Sequence, residues 1–517
     1  MQFKVIYQEG KLVYSNAFDP DSKDRFLTGM GILTFLLILP LFGAALIAAL
    51  PSGSDRLIRV VALGTATLNL ILACGLLFSF DTSQAGLQFV EVHRWNPRLG
   101  TTFSLGVDGF SLPMVLLATL LSLVAIMASS SIDRQVKAYY FLMLLLEAAM
   151  TGVFMALDWA LFYVFWELTL IPLFFLIDRW GGVNRHGAAL NFFIYTMGGS
   201  VFLLISLLVL FDSVPGGTFA MVDIAKAAKS LPAHTQTLIF LGFLVGFGVK
   251  MPIFPIHGWL PLAHVEAPSP VSILLSGILL KMGSYGLIRV SGVLPKGVLE
   301  LQNVLVTLAL VSLIYGGLLA WRQSDLKAMI AYSSVSHMGL VLFGIASLNL
   351  AGLTGALMQM VAHGLVAGAL FLLIGLLYER THTRDINHYS SLVRVTPRFA
   401  FFTTLTFVAA VGLPGTVGFI AELHVLIGGF QRWGWLVLLL SLGVMISAAY
   451  AIRTVGRLFT GPVRAGMEEL SDLRGSEMLA ATVLAAGIIL LGLFPAAVLN
   501  LMSASLTEFS LSFGGVQ

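Results

Sequence analysis

The 517-residue sequence contains a single cysteine, Cys74, and only 11% of its residues are charged. One thiol makes neither an intrachain disulfide nor a cysteine-ligated cluster. Gly-x-Gly-x-x-Gly and Walker-type phosphate loops are also missing, so the chain shows no means of its own to hold a redox cofactor or a nucleotide. Soluble domains carry roughly 25% charged residues. At 11% charged and 58% hydrophobic, this is the composition of a membrane protein. The net charge of +3 is small and dispersed, which leaves no footprint for nucleic acid. Residues 1–26 are polar and lack a small-residue cleavage site, so they read as a surface segment, extended around Phe3–Tyr7, and not as a signal peptide.

What the sequence has in abundance is apolar length. A run of about 20 apolar residues spans a bilayer as a helix, and about fourteen such runs are present. They lie near 27–50, 58–80, 110–132, 138–157, 159–178, 188–211, 236–256, 269–291, 299–321, 327–348, 353–378, 398–428, 433–459 and 478–501. The fold class expected is an all-α polytopic membrane protein. Lys and Arg crowd the loops after odd-numbered runs, for example Arg56, Arg134, Arg179, Arg185, Lys327 and Arg380. The positive-inside rule puts those loops in the cytoplasm and both termini on the non-cytoplasmic side.

Two runs are interrupted alike. The seventh carries Pro252, Pro255, Gly258 and Pro261; the twelfth carries Gly412, Pro414, Gly415 and Gly418. Proline removes a backbone donor and glycine frees the backbone. Broken helices in corresponding places point to inverted repeats with the working site at the breaks. The two are five runs apart, which predicts five-helix repeats over runs 4–8 and 9–13. The chain then divides into 1–26, runs 1–3 (27–132), a first repeat (138–291), a second repeat (299–459) and a final helix with its tail (478–517). The plainer account is that Pro and Gly are common in membrane helices generally.

Ionisable residues within the runs are few: Glu147, Glu167, Lys250, Lys281, His337, His363, Glu422 and His424. A lysine at mid-bilayer costs about 2.5–3.5 kcal/mol on insertion scales, so two in neighbouring segments call for partners or a purpose. Carboxylates, amines and imidazoles in series form a proton relay. At about 4 Å an ion pair is worth about 4 kcal/mol at an effective dielectric of 20, enough for its separation to change proton occupancy. Static roles compete with this reading. Glu167–Lys250 would serve as a fixed ion pair, His337 as a bond to nearby backbone, Glu147 as a neutral packed acid, and His424 as a structural group. Arg289, Asp158 and Asp178 stand near run ends, where snorkelling or solvation accounts for them. His257 and His264 flank the first break without a Cys or carboxylate at metal-ligand spacing, so no metal is expected.

Several motifs occur together in order: Val249-Lys250-Met251-Pro252, His257-Gly258-Trp259-Leu260-Pro261, Gly277–Lys281, Asp325-Leu326-Lys327, Ile330–Gly339, Ala362-His363-Gly364 and Leu377–Asp385. In these the chain resembles the antiporter-like membrane subunits of respiratory complex I over runs 2 to 14. Glu422, after Leu413-Pro414-Gly415-Thr416, and the short stretch after the last run resemble the chain M (chain 4) branch, where sister chains carry lysine at the glutamate position. The resemblance implies a subunit that moves protons through Glu167, Lys250, Lys281, His337, His363 and Glu422. Flavin, iron–sulfur clusters and quinone are then held by partner subunits, including other antiporter-like chains, and NAD(P)H or ferredoxin is the electron donor. It also implies a bacterial inner membrane or a cyanobacterial thylakoid membrane. Glu147 falls outside the expected set and is a candidate extra site. The alternative from another class is a subunit of a Na⁺ or K⁺/proton antiporter complex.

Overall fold

Apolar runs too long for a soluble core become helices because only a helix satisfies its own backbone in lipid. The computed structural model describes residues 6–8, 11–13, 31–215, 217–464 and 466–513. Among them, eleven helices are long and apolar enough to cross a membrane. Most of segment 1–26 lies outside the described residues; within it, Ile6–Gln8 and Lys11–Val13 pair as antiparallel strands.

Helices arise where the sequence supplies both apolar length and a start signal. Asp325 opens the Leu326–Ser347 helix by accepting from the Lys327 and Ala328 amides at 2.8 and 3.0 Å. Asn349 opens Leu350–Thr381 through the Gly352 amide at 2.9 Å. Ile32–Ala49 follows Gly31, which has no side chain to cap it. Glu91 does so from a distant strand, accepting from the Leu33 and Thr34 amides at 2.8 and 3.1 Å.

Helices Ser269–Val293 and Leu350–Thr381 are enclosed by protein along their apolar windows, and Leu326–Ser347 nearly so, whereas Asp55–Ser79 is largely exposed. The centre of the molecule is therefore the packing of these three helices. Ser276 and Ser334 hydroxyls meet there at 3.1 Å.

Loops sort onto two faces. On one, a hairpin of Gln88–Asn96 and Thr101–Val107 meets the segments after the fourth and sixth runs: the Leu157 amide donates to the Ser104 carbonyl at 2.9 Å, and the Phe219 amide to the Gly100 carbonyl at 3.2 Å. On the other, Lys137 Nζ donates to the Leu50 carbonyl at 2.8 Å, Trp180 Nε1 to Arg134 at 2.7 Å, and Ser131 Oγ to Glu379 Oε1 at 2.7 Å. Loops after even-numbered and odd-numbered runs thus gather separately, as alternating crossings require.

The twelfth run is broken as expected, into Pro397–Ala410 and Val417–Trp433 on either side of its glycines. Other sequence-based expectations are corrected. The fourteenth spans parts of Gly475–Leu493 and Ala496–Leu511, because Pro495 lies between them. Asp158 is neither solvated nor snorkelling. It is buried and caps Trp159–Leu168 through the Ala160 and Leu161 amides while holding the Thr102 amide of the hairpin at 2.9 Å. Arg289 does not snorkel either; it forms a two-pronged pair with buried Asp108 at 2.6 and 2.8 Å. Lys327, counted with the loops, is buried in a helical first turn and donates to the Ala267 carbonyl at 2.8 Å.

Candidate functional site

The first break follows from its prolines. Ala233–Lys250 ends where Pro252 and Pro255 remove backbone donors, and the chain resumes as Trp259–Glu266. In an unbroken helix the Ile253 amide would bond Val249; here it bonds the Gly248 carbonyl at 3.0 Å. The Val249 carbonyl is instead met by Trp259 Nε1 at 2.8 Å, and the Phe254 amide by Ser312 Oγ at 2.9 Å. Protein side chains thus replace the missing ladder, as a break inside a membrane demands.

Lys250 is the last residue before this break and is buried. Its ammonium donates to Thr169 Oγ1 at 2.8 Å and to the Trp166 carbonyl at 3.3 Å, and lies over the Trp166 ring, 4.0 Å from its centroid. The acceptors are available because the neighbouring helix stops at Leu168 and restarts at Leu170. The expected Glu167–Lys250 ion pair does not form among the described residues. Glu167 is half-buried, and its Oε1 has no hydrogen-bond partner among them.

Lys281 is fully buried in the middle of Ser269–Val293. Just before it, Leu275–Leu279 forms a π-helical turn, a feature common at functional sites. Lys281 Nζ lies 2.6 Å from both the Ser276 carbonyl and His363 Nδ1. Gly283 brings this helix against the end of the Lys250 helix. A β-carbon there would stand 2.6 Å from the Phe247 carbonyl oxygen and 2.8 Å from the Met251 nitrogen.

The line continues through imidazoles. His363 and His337 have ring centroids 5.5 Å apart, and Gln359 Nε2 lies 3.2 Å from His337 Nδ1. His363 Nε2 and Gln359 Oε1 are buried without partners among the described residues. The helix bearing His363 and Gln359 packs on Val417–Trp433, where Gly355 lies against Val425 and His424. One turn into that second helix stands buried Glu422. Its carboxylate presses on Gly412, whose φ of +73° and lack of a β-carbon make the approach possible. His424 bonds the Ile420 carbonyl through Nδ1 at 2.8 Å, a structural role.

Glu147 lies elsewhere. It is fully buried and accepts from Asn69 Nδ2 at 2.7 Å, while Glu147 Oε2 and Asn69 Oδ1 have no partners among the described residues. Sequence reasoning missed Thr169, Gln359, Ser276 and Asn69 as partners, since neutral polar residues carry no mark in an apolar run. It weighed His264 only as a metal ligand; the residue is fully buried and stacked on Phe371 at 4.5 Å, with both ring nitrogens unpartnered among the described residues.

These features define a polytopic membrane protein with buried ionisable groups at two broken helices and on the helices packed between them. A family model described as NADH:quinone oxidoreductase/Mrp antiporter, TM, matches residues 156–447, and the chain belongs to that family. NAD(P)H-quinone oxidoreductase chain 4 2 of Thermosynechococcus vestitus is 41% identical over 90% of this chain and 89% of its own length. NADH-quinone oxidoreductase subunit M of Rhodobacter capsulatus is 40% identical over 92% and 96%. Among solved structures, a chain of respiratory complex I from Thermus thermophilus superposes with a TM-score of 0.86 at 31% identity, covering 94% of this chain and 100% of that one.

Proposed function

We propose that the chain is a proton-translocating, antiporter-like subunit of an NAD(P)H:quinone oxidoreductase. It carries no redox chemistry of its own, and partner subunits hold the flavin, iron–sulfur clusters and quinone. The observation that carries this reading is the Lys281–His363 contact. An ammonium and an imidazolium 2.6 Å apart would repel by about 6 kcal/mol at an effective dielectric of 20. The two groups therefore share one hydrogen-bonding proton, and no carboxylate forms an ion pair with Lys281 among the described residues. A site that holds one proton between two bases passes it on when either base gains another partner. His337 and Gln359 supply the next positions toward Glu422.

In this reading protons arrive from the cytoplasmic face, where Lys and Arg loops gather, and load Lys250. Glu167, Lys281, His337, His363 and Glu422 complete the relay across two inverted five-helix repeats. The breaks at Lys250 and before Glu422 support that pairing of repeats. Glu147 is a side site, separate from the axis and held by Asn69. Long relatives that match nearly end to end favour the oxidoreductase over a free-standing cation antiporter; an antiporter would purify without flavin and iron–sulfur partners.

The test is Lys281→Met in the assembled complex. Proton pumping per electron is expected to collapse while electron transfer from the soluble arm to an artificial acceptor persists. Unchanged pumping would overturn the relay.

A further inference from the structure

Away from the axis, on the face where odd-numbered loops gather, a cavity of about 350 Å³ is lined by Arg134, Asp178, Arg179, Trp180, Arg185 and His186. Its charges are uneven: three arginines surround one carboxylate. Asp178 engages His186 at 2.5 Å and Arg179 at 3.6 Å, which leaves most of the basic surface to something else. Arg185 Nε is buried without a partner among the described residues, and its Nη1 reaches the Gly181 carbonyl only at 3.5 Å.

Below the cavity, two exposed apolar stripes descend. Ile171, Phe175 and Arg179 are spaced four apart on Leu170–Trp180, and His186, Leu190 and Ile194 four apart on Arg185–Asp212. Residues so spaced share one helix face. Ile171, Phe175, Leu190 and Ile194 are all exposed. Phe174 and Phe193 pack edge to face at 5.7 Å, so the two helices are neighbours. Each stripe ends in a base at the cavity, and Trp180 stands at the same level, as aromatic side chains do at a membrane surface.

We infer that this cavity binds the phosphate headgroup of an anionic phospholipid whose acyl chains lie along the two stripes. The arginines supply planar donors suited to phosphate oxygens, and the apolar stripes supply what a free anion cannot use. The charge complementarity and the amphipathic layout point to the same occupant, since clustered Lys and Arg at a cytoplasmic membrane surface attract anionic lipid.

The experiment is a lipid titration of the delipidated, assembled complex by native mass spectrometry, using phosphatidylglycerol, phosphatidylcholine and inorganic phosphate as probes. The wild type should retain phosphatidylglycerol in preference to phosphatidylcholine, without displacement by phosphate. The Arg179→Gln/Arg185→Gln double variant should bind it roughly thirtyfold more weakly, at about a kcal/mol for each arginine removed. Equal retention by wild type and variant overturns the site, as does displacement by phosphate or equal binding of phosphatidylcholine. A photoreactive phosphatidylglycerol on the wild type covers the case of a variant that fails to assemble. Cross-links within 171–194 support the site, and cross-links confined elsewhere, or capture of a neighbouring subunit at these arginines, overturn it.

Discussion

At the first interruption, between Lys250 and Trp259, prolines strip donors from the backbone and the side chains of Trp259 and Ser312 fill in, while Thr169 receives Lys250. At the second, between Ala410 and Val417, glycines at φ +73° and +93° turn the chain, and Thr416 Oγ1 donates to the Leu413 carbonyl at 2.7 Å. The first break is sealed on the Lys250 side, with Met251–Ile253 buried, while Pro255 and Gly258 beyond it are exposed; at the second, Leu413 and Pro414 are exposed. The ionisable groups are placed in opposite senses. Lys250 ends a helix, near its carbonyl pole, and Glu422 stands early in one, nearer its amide pole. The contrast separates two tasks. A sealed break holds a cation through neutral acceptors, and an open one holds a carboxylate against bare backbone near the molecular surface.

The largest effect should come from removing the neutral acceptor at the sealed break. Thr169→Val keeps the volume and deletes the oxygen that receives Lys250, and a hydrogen bond to a charged group is worth about 1.5–3 kcal/mol. Proton pumping is expected to fall at least tenfold in the assembled complex, and Thr169→Ser to restore it. If Thr169→Val pumps normally, Glu167 and not Thr169 governs Lys250, and the contrast between the breaks weakens.

The open break should yield less, and through backbone strain. Gly412→Ala forces an L side chain into the left-handed region at about 1–2 kcal/mol, and its β-carbon meets the Glu422 carboxylate. A partial loss of pumping with a modest drop in the complex's melting temperature is expected. In a Glu422→Gln background, Gly412→Ala should then add little further loss, since both act on one contact. Additive losses would show that Gly412 matters only for the turn.

Both breaks were legible in the sequence because proline and glycine act through local geometry, and so were the ionisable groups standing at them. Run length revealed the helices for the same reason. What stayed hidden depended on tertiary approach. Nothing near Gly31 announces that Glu91 will cap its helix, and nothing near Arg289 announces Asp108. Lys327 stands two residues after Asp325 and precedes an apolar run, so it read as a loop residue; only the close packing around Ala267 buries it. The hairpin at Gln88–Val107 was missed because its strands, of nine and seven residues, are flanked by far stronger helical signals. The Lys250 acceptors were missed for a further reason: Glu167, which lies between Trp166 and Thr169 in the sequence, was the more obvious choice for a cation.

The smallest effect should fall outside both breaks, at Glu147. Replacement by Gln keeps an oxygen for the Asn69 Nδ2 donor at 2.7 Å and adds an amide that suits the unpartnered Asn69 Oδ1. Glu147→Gln is therefore expected to pump close to the wild-type value. Asn69→Leu, which strands the acid in an apolar setting, should cost about 1–3 kcal/mol of stability, read as a lower melting temperature of the complex. A pumping loss in Glu147→Gln as deep as that of Thr169→Val would move Glu147 from a side site onto the path itself, and the axis between the two breaks would need a third origin.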